Sequence, residues 1–227
     1  MAGLLDLWPQ LLSCRQVDQV EGQLGRALGL DPARHRSIGL VTCDQDDPLY
    51  VCLDHCTRFA PVEVKYGRSF YAGSRHASGP FSGEVLGIVA GTDPDEVAEA
   101  LWALREQLRV VRFQQFPGER QPAFLGHVVT QTGSYLSAEA GIPRGEPMGY
   151  LVAPPAEMVV ALDAALKAAP VRLAKWMPPP TETNFAAAYL AGDLHALEAA
   201  RDAFVEAVGQ FAAHPLAAAR RPERMRR

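Results

Sequence analysis

The sequence predicts an α/β (α+β) chain in which one unit, a small sheet flanked by helices, is built twice. The first observation is internal repetition. Ser37-Ile38-Gly39-Leu40-Val41 leads through an amphipathic run to Ala60-Pro61-Val62-Glu63-Val64-Lys65-Tyr66, and Pro147-Met148-Gly149-Tyr150-Leu151-Val152 leads the same way to Ala169-Pro170-Val171-Arg172-Leu173-Ala174-Lys175-Trp176. The offset shrinks in order: 112 from Gly29 to Gly141, 110 from Gly39 to Gly149, 109 from Ala60 to Ala169 and 101 from Gly91 to Gly192. Copies of this length exceed the roughly 20–50 residues of solenoid repeats, so each must hold its own core. The second observation is that helix-period runs alternate with short strand-like runs within each copy. The third is composition: 48% hydrophobic and 21% charged residues in 227 suit one large or two small domains.

In the first copy, Val17 to Leu28 reads as a polar-rich helix ending near Gly29, and Ile38 to Thr42 as a short buried strand. A helix follows, with Asp46 or Asp47 able to cap it, Pro48 suited to its first turn, and Leu49, Leu53, Cys56 and Phe59 spaced for one face. Val62 to Tyr66 alternates as a strand, Glu84 to Ala90 is another, and Asp93-Pro94-Asp95-Glu96 opens a helix through Leu108. Arg109 to Gln121 is the connector. The second copy reads as helix Leu125 to Leu136, strand Met148 to Val152, helix Pro155 to Ala168, strands Val171 to Trp176 and Ala186 to Leu190, and helix Leu194 to Phe211. Trp8, Trp102 and Trp176 are assigned to packing, Trp102 facing the core.

The offset shrinks mainly after Tyr66. There the first copy carries a Gly/Ser-rich loop from Gly67 to Pro80 with two arginines, a histidine and two aromatics, while the second has only Met177 to Asn184. Such excursions are often functional, and a tolerated surface insertion is the plainer alternative. A net charge of −4 with no basic patch in the repeats argues against nucleic acid as a partner. The arginines at 220, 221, 224, 226 and 227 read as a basic, disordered tail. No apolar run of about 18 residues predicts a membrane span, and Met1 to Leu12 lacks a basic start and contains Asp6 and Pro9, unlike a signal peptide. Four cysteines form no disulfide framework and fit a reducing compartment. Cys52-Leu53-Asp54-His55-Cys56 has metal-ligand residue types, but its spacing reads as a buried cysteine face with His55 toward solvent, and no metal or cofactor is expected. No nucleophile elbow, phosphate loop or zinc-protease segment is present, which argues against an enzyme.

These residues carry a resemblance. The order of strand, acidic or Pro turn, helix, Ala-Pro-Val strand, Gly turn, strand and helix resembles the bacterial microcompartment shell domain. Two such domains in one chain resemble the tandem, trimer-forming shell proteins, above all those of ethanolamine-utilisation compartments. The likeness is carried by Asp44-Gln45-Asp46-Asp47, Val62 to Gly73, Gly83-Glu84-Val85-Leu86, His127-Val128-Val129, Thr132-Gly133-Ser134-Tyr135-Leu136-Ser137, Tyr150-Leu151-Val152-Ala153-Pro154-Pro155 and Pro178 to Asn184, and it runs from about Leu4 to Pro215.

The resemblance implies two tandem circularly permuted microcompartment domains, 1–112 and 113–216, before the tail 217–227. It implies a homotrimeric, six-domain disc tiling with other shell proteins in the cytoplasmic shell of an ethanolamine-degrading compartment. A central pore would be gated by loops matching Gly67, Arg68, Ser69, Phe70, Tyr71, Ala72, Gly73, Ser74, Arg75 and His76, and Pro180, Thr181, Glu182, Thr183 and Asn184. Ethanolamine would be held by carboxylates matching Asp46 and Glu84 and a carbonyl near Phe113, which suits an ammonium with a neighbouring hydroxyl. On the residues alone, helix capping by Asp46 and an edge salt bridge at Glu84 are the plainer readings. His76 reads as a solvated loop histidine. A soluble duplicated α/β module that senses or binds an amine is the alternative function, and neither nucleic acid nor membrane is expected as a partner.

Overall fold

Two antiparallel sheets with the same strand order organise the chain, each covered by two long helices. The computed structural model describes residues 3–70, 84–117, 122–179, 181 and 185–214. Strands β1 (Leu5–Leu7) and β2 (Leu11–Val17) lead into α1 (Gly22–Ala27), β3 (Ser37–Cys43), α2 (Asp46–Cys56), β4 (Glu63–Phe70), β5 (Glu84–Gly91) and α3 (Pro94–Gln107). Then come β6 (Phe113–Gln115), β7 (Ala123–Val129), α4 (Ser134–Ala140), β8 (Met148–Ala153), α5 (Pro155–Ala168), β9 (Arg172–Met177), β10 (Ala186–Ala191) and α6 (Leu194–Ala213).

The first sheet has the order β2-β3-β5-β4 and the second β7-β8-β10-β9, extended beyond β7 by β6 and β1. The repeat therefore holds strand for strand. It also holds in detail: α1 and α4 are each followed by a left-handed glycine, Gly29 at φ 65° and Gly141 at φ 63°, where a side chain would be strained. Val62 N–H donates to Ala60 O and Val171 N–H to Ala169 O, both at 2.8 Å. In both copies Pro sits in the middle of that turn.

Helices α2 and α3 cover one face of the first sheet, where Val41, Leu53, Val89 and Leu104 meet. They lie close: a Cβ at Gly39 would meet Leu101 at 2.8 Å, and one at Gly87 would meet Leu53 at 2.9 Å. Helices α5 and α6 cover the second sheet through Leu151, Ala161, Ala188 and Phe204. The other face of that sheet packs on α4 and also takes Val51 from α2. Helix α2 is thus sandwiched between the two sheets, which joins the copies through a shared apolar core.

Several elements differ from the sequence reading. Each copy opens with a strand, not a helix: β2 and β7 occupy Leu11–Val17 and Ala123–Val129, and the helices after them are short. Val17, Leu125 and Val129 belong to strands, because their apolar spacing serves two sheet faces rather than one helical stripe. The stretch Gly67–Phe70 continues β4 instead of opening a loop. The connector contains β6, which pairs with β1, so the N-terminal strand is donated to the second sheet. Trp102 is 62% exposed on α3 rather than facing the core. Helix α3 starts as expected, with a capping box between Asp93 and Glu96.

Candidate functional site

The turn Asp44–Asp47 between β3 and α2 is the most unusual polar feature of the molecule, because all four of its acceptor-bearing side chains are buried. Burial of carboxylates demands partners. Asp44 Oδ1 accepts the Gln10 amide at 2.6 Å, yet desolvation still pushes its pKa above the ordinary value. Asp46 Oδ2 accepts the Ser69 hydroxyl at 2.9 Å, and its Oδ1 accepts the Asp47 amide at 2.8 Å. Asp47 accepts from the Tyr150 hydroxyl of the second sheet. Neither aspartate caps α2; the N-cap is Gln45, which makes no side-chain capping bond. Asp46 and Asp47 instead occupy the first helical turn, where the helix dipole favours negative charge.

Two further predicted site residues, Glu84 and Phe113, are linked to this turn through neighbouring strands. Cys43 pairs with Val85 and Phe70 with Glu84, so β5 begins at Glu84 beside the end of β3. Phe113 pairs with Leu7, and Leu7 O accepts Gln45 Nε2 at 3.2 Å. The Phe113 ring is fully buried and contacts the Phe185 ring at a centroid distance of 6.1 Å, leaving its backbone as the group facing β1. Gln45 is a residue the sequence reading missed. Its Oε1 is buried with no hydrogen-bond partner among the described residues, an acceptor beside two carboxylates. The signal was its place between a strand end and an acidic helix start.

A cavity of about 670 Å³ opens beside Asp46 and Asp47, between β4 of the first sheet and β9 and β10 of the second. Its walls include Tyr50, Tyr135, Tyr150 and Tyr189. The Tyr150 and Tyr189 rings meet edge to face at 4.7 Å, and burial raises both phenol pKa values, Tyr150 further by the neighbouring Asp47 charge. Gly67 and Arg68 line this cavity together with Pro178 and Thr181, so the stems of both predicted loops reach one place. Glu84 and Phe113 do not line it. Ser69 faces Asp46, and Phe70 is exposed. Tyr71, Ala72, Gly73, Ser74, Arg75, His76, Pro180, Glu182, Thr183 and Asn184 lie outside the described residues, as does the Arg-rich tail.

The joint between the copies is a second polar cluster that the sequence did not reveal. Asp54, read as part of a metal-like segment, is buried and accepts the Gly133 amide at 2.6 Å and the Leu136 amide at 2.7 Å, capping α4 from the other copy. Desolvation nevertheless holds its pKa above the usual carboxylate range. Thr57 Oγ1 accepts the Ser134 amide at 2.9 Å, and Arg58 donates to Gln131 Oε1 at 2.8 Å. Cys52 and Cys56 are fully buried as expected, and burial pushes the Cys56 thiol up to about 12. His55 is half-buried against the Phe59 ring. No group of three or more ligand-type side chains suited to a metal is found among the described residues.

No family model matches the chain. Individual proteins do. It is 46% identical over 209 residues to the bacterial microcompartment shell protein EutL of Escherichia coli (strain K12), covering 92% of this chain and 95% of that one. Its fold matches the monoclinic crystal structure of EutL from Clostridium perfringens with a TM-score of 0.86 at 45% identity, over 93% and 96% of the two chains. It matches the ethanolamine utilization protein EutL from Leptotrichia buccalis C-1013-b with a TM-score of 0.87 at 43% identity, over 94% and 98%.

Proposed function

The chain belongs to the EutL family of bacterial microcompartment shell proteins, and from that premise we propose that it forms pseudohexameric homotrimers, two shell domains per chain, in the shell of an ethanolamine-utilising compartment. The observation that carries the assembly is an unmatched pair of equivalent faces. Helices α2 and α5 are counterparts at an offset of 109, yet Val51 is 2% exposed, packed into the other copy, while its counterpart Val160 is 48% exposed. A face that is core in one copy and bare in the other fits a chain whose second unit is covered by the first unit of a neighbour. A repeated head-to-tail joint of this kind closes into a ring.

Within the disc, the cavity at Gly67, Arg68, Pro178 and Thr181 is the root of the gated central opening. The turn at Asp46, with Glu84 and the Phe113 carbonyl, is the small-molecule site. Two carboxylates, a carbonyl and the unpartnered Gln45 oxygen supply acceptors for an ammonium and a hydroxyl, which favours ethanolamine over anionic metabolites. The experiment is electron microscopy of the purified protein with and without ethanolamine. Flat, regularly tiled layers formed without ligand support the shell assembly. Particles that stay small and change only when the amine is added would move the reading to a soluble amine-binding module.

A further inference from the structure

The residues of the internal joint have counterparts on the bare faces, and these counterparts reproduce it only in part. On one side of the internal joint stand Val51, Asp54, Thr57 and Arg58; their counterparts at the same offset are Val160, Asp163, Leu166 and Lys167. On the other side stand Val129, Gln131, Gly133 and Leu136; their counterparts at an offset of 112 are Val17, Gln19, Glu21 and Leu24. The apolar half carries over. Leu136 is fully buried and Leu24 is 47% exposed, so Leu24 is a knob without its cover, as Val160 is.

The polar half carries over only in part: Lys167 and Gln19 stand where Arg58 and Gln131 pair, but the capping contact of Asp54 on Gly133 is lost. Gly133 is pressed so closely that a Cβ there would lie 2.2 Å from Asp54 O and 2.3 Å from Thr57 Oγ1. Its counterpart Glu21 has a full side chain, and that side chain already accepts the Gln23 amide at 2.7 Å and the Leu24 amide at 3.2 Å. The helix start that Asp54 caps across the internal joint is capped on the bare face by its own N-cap residue, Glu21. Asp163 has no amide to receive, and it is paired instead with Lys167 at 2.6 Å on the exposed surface.

We propose that, in the assembly inferred above and resting on it, the α5 face of one chain docks on the β2–α1 face of the next chain. The Glu21-for-Gly133 exchange then makes this contact a wider, charge-paired joint in which Lys167 bridges Glu21 and Asp163. The apolar contact of Val160 with Leu24 sets its position, and the ion pairing sets its strength. Exposed ion pairs are screened by salt and buried caps are not, so the joint between chains opens at ionic strengths that leave the chain's own joint intact. The shell unit would thus come apart into folded chains.

The test is a charge swap read by mass in solution, with circular dichroism confirming that each variant is folded. Lys167→Glu and Glu21→Lys should each raise the dissociation constant of the assembled species at least 10-fold, and the double variant should recover most of that loss. Lys167→Gln, which cannot invert the charge, should give a smaller loss that high salt does not deepen. Single swaps that leave the assembly unchanged, or a double variant no better than either single one, would overturn the pairing while leaving the trimer standing. A wild-type protein that does not associate would remove the trimer itself.

Discussion

The Asp54 carboxylate accepts the Gly133 amide at 2.6 Å across the joint between the two copies, and nothing larger than glycine fits there. That contact fixes how the copies meet, because the obstructing atoms belong to backbone and to a short side chain and cannot swing aside. Gly133→Ala is expected to destabilise the protein by about 2–3 kcal/mol as an overpacked contact, lowering the melting temperature by roughly 5–10 °C. Differential scanning calorimetry checks this. An unchanged melting temperature would show that the joint yields.

Removing the acceptor should act similarly. Asp54→Ala leaves the Gly133 and Leu136 amides buried without their carboxylate, at an expected cost of about 2–4 kcal/mol. Chemical denaturation measures it, and Asp163→Ala on the exposed counterpart should cost less than about 0.5 kcal/mol in the isolated chain.

His127 gives a pH prediction. Burial, and then the Arg201 and Arg112 charges, lower its pKa from 6.5 to about 4. A depressed folded pKa means the neutral form is favoured in the folded state. This contribution is fully present above the unfolded value and is lost as pH falls from 6.5 through about 4. Its size is about 3 kcal/mol, since each unit is worth about 1.4. His127→Gln should flatten stability between those pH values, measured by urea midpoints at each pH; a variant with the wild-type slope would assign acid sensitivity elsewhere.

Much of this fold was legible because the chain states it twice. The strands Ser37–Cys43 and Met148–Ala153, and the helix Pro155–Ala168, follow from apolar runs bounded by prolines and acidic residues. The leading strands were not legible, because Leu11–Val17 carries polar residues suited to an edge and imitates the start of the next helix. At the candidate site, Asp46 was named through the resemblance alone, since its position in an acidic turn read as a helix cap. Gln45 and Tyr150 were not reachable, since their importance comes from burial and from a partner far along the chain, Asp47 in the case of Tyr150. Asp54 was hidden by its cysteine neighbours, whose periodicity describes the opposite side of the helix.

The proposed small-molecule turn gives a binding prediction. Asp46→Asn removes a buried charge while keeping a Ser69 acceptor, and should weaken ethanolamine binding about 10-fold or more in isothermal titration calorimetry. Gln45→Leu should weaken it less, by one lost hydrogen bond. Trp102→Phe, exposed on α3 far from the turn in sequence and off the cavity, should leave it unchanged. Equal affinity in all three would place the amine elsewhere.

Whether another chain covers the bare α5 face is read from the mass of the purified protein in solution by sedimentation equilibrium. For a chain of 24.6 kDa the expected result is a closed species of about 74 kDa at low salt, shifted toward the monomer by Val160→Lys. A wild-type protein that remains a monomer or stops at a dimer across the concentration range would contradict it.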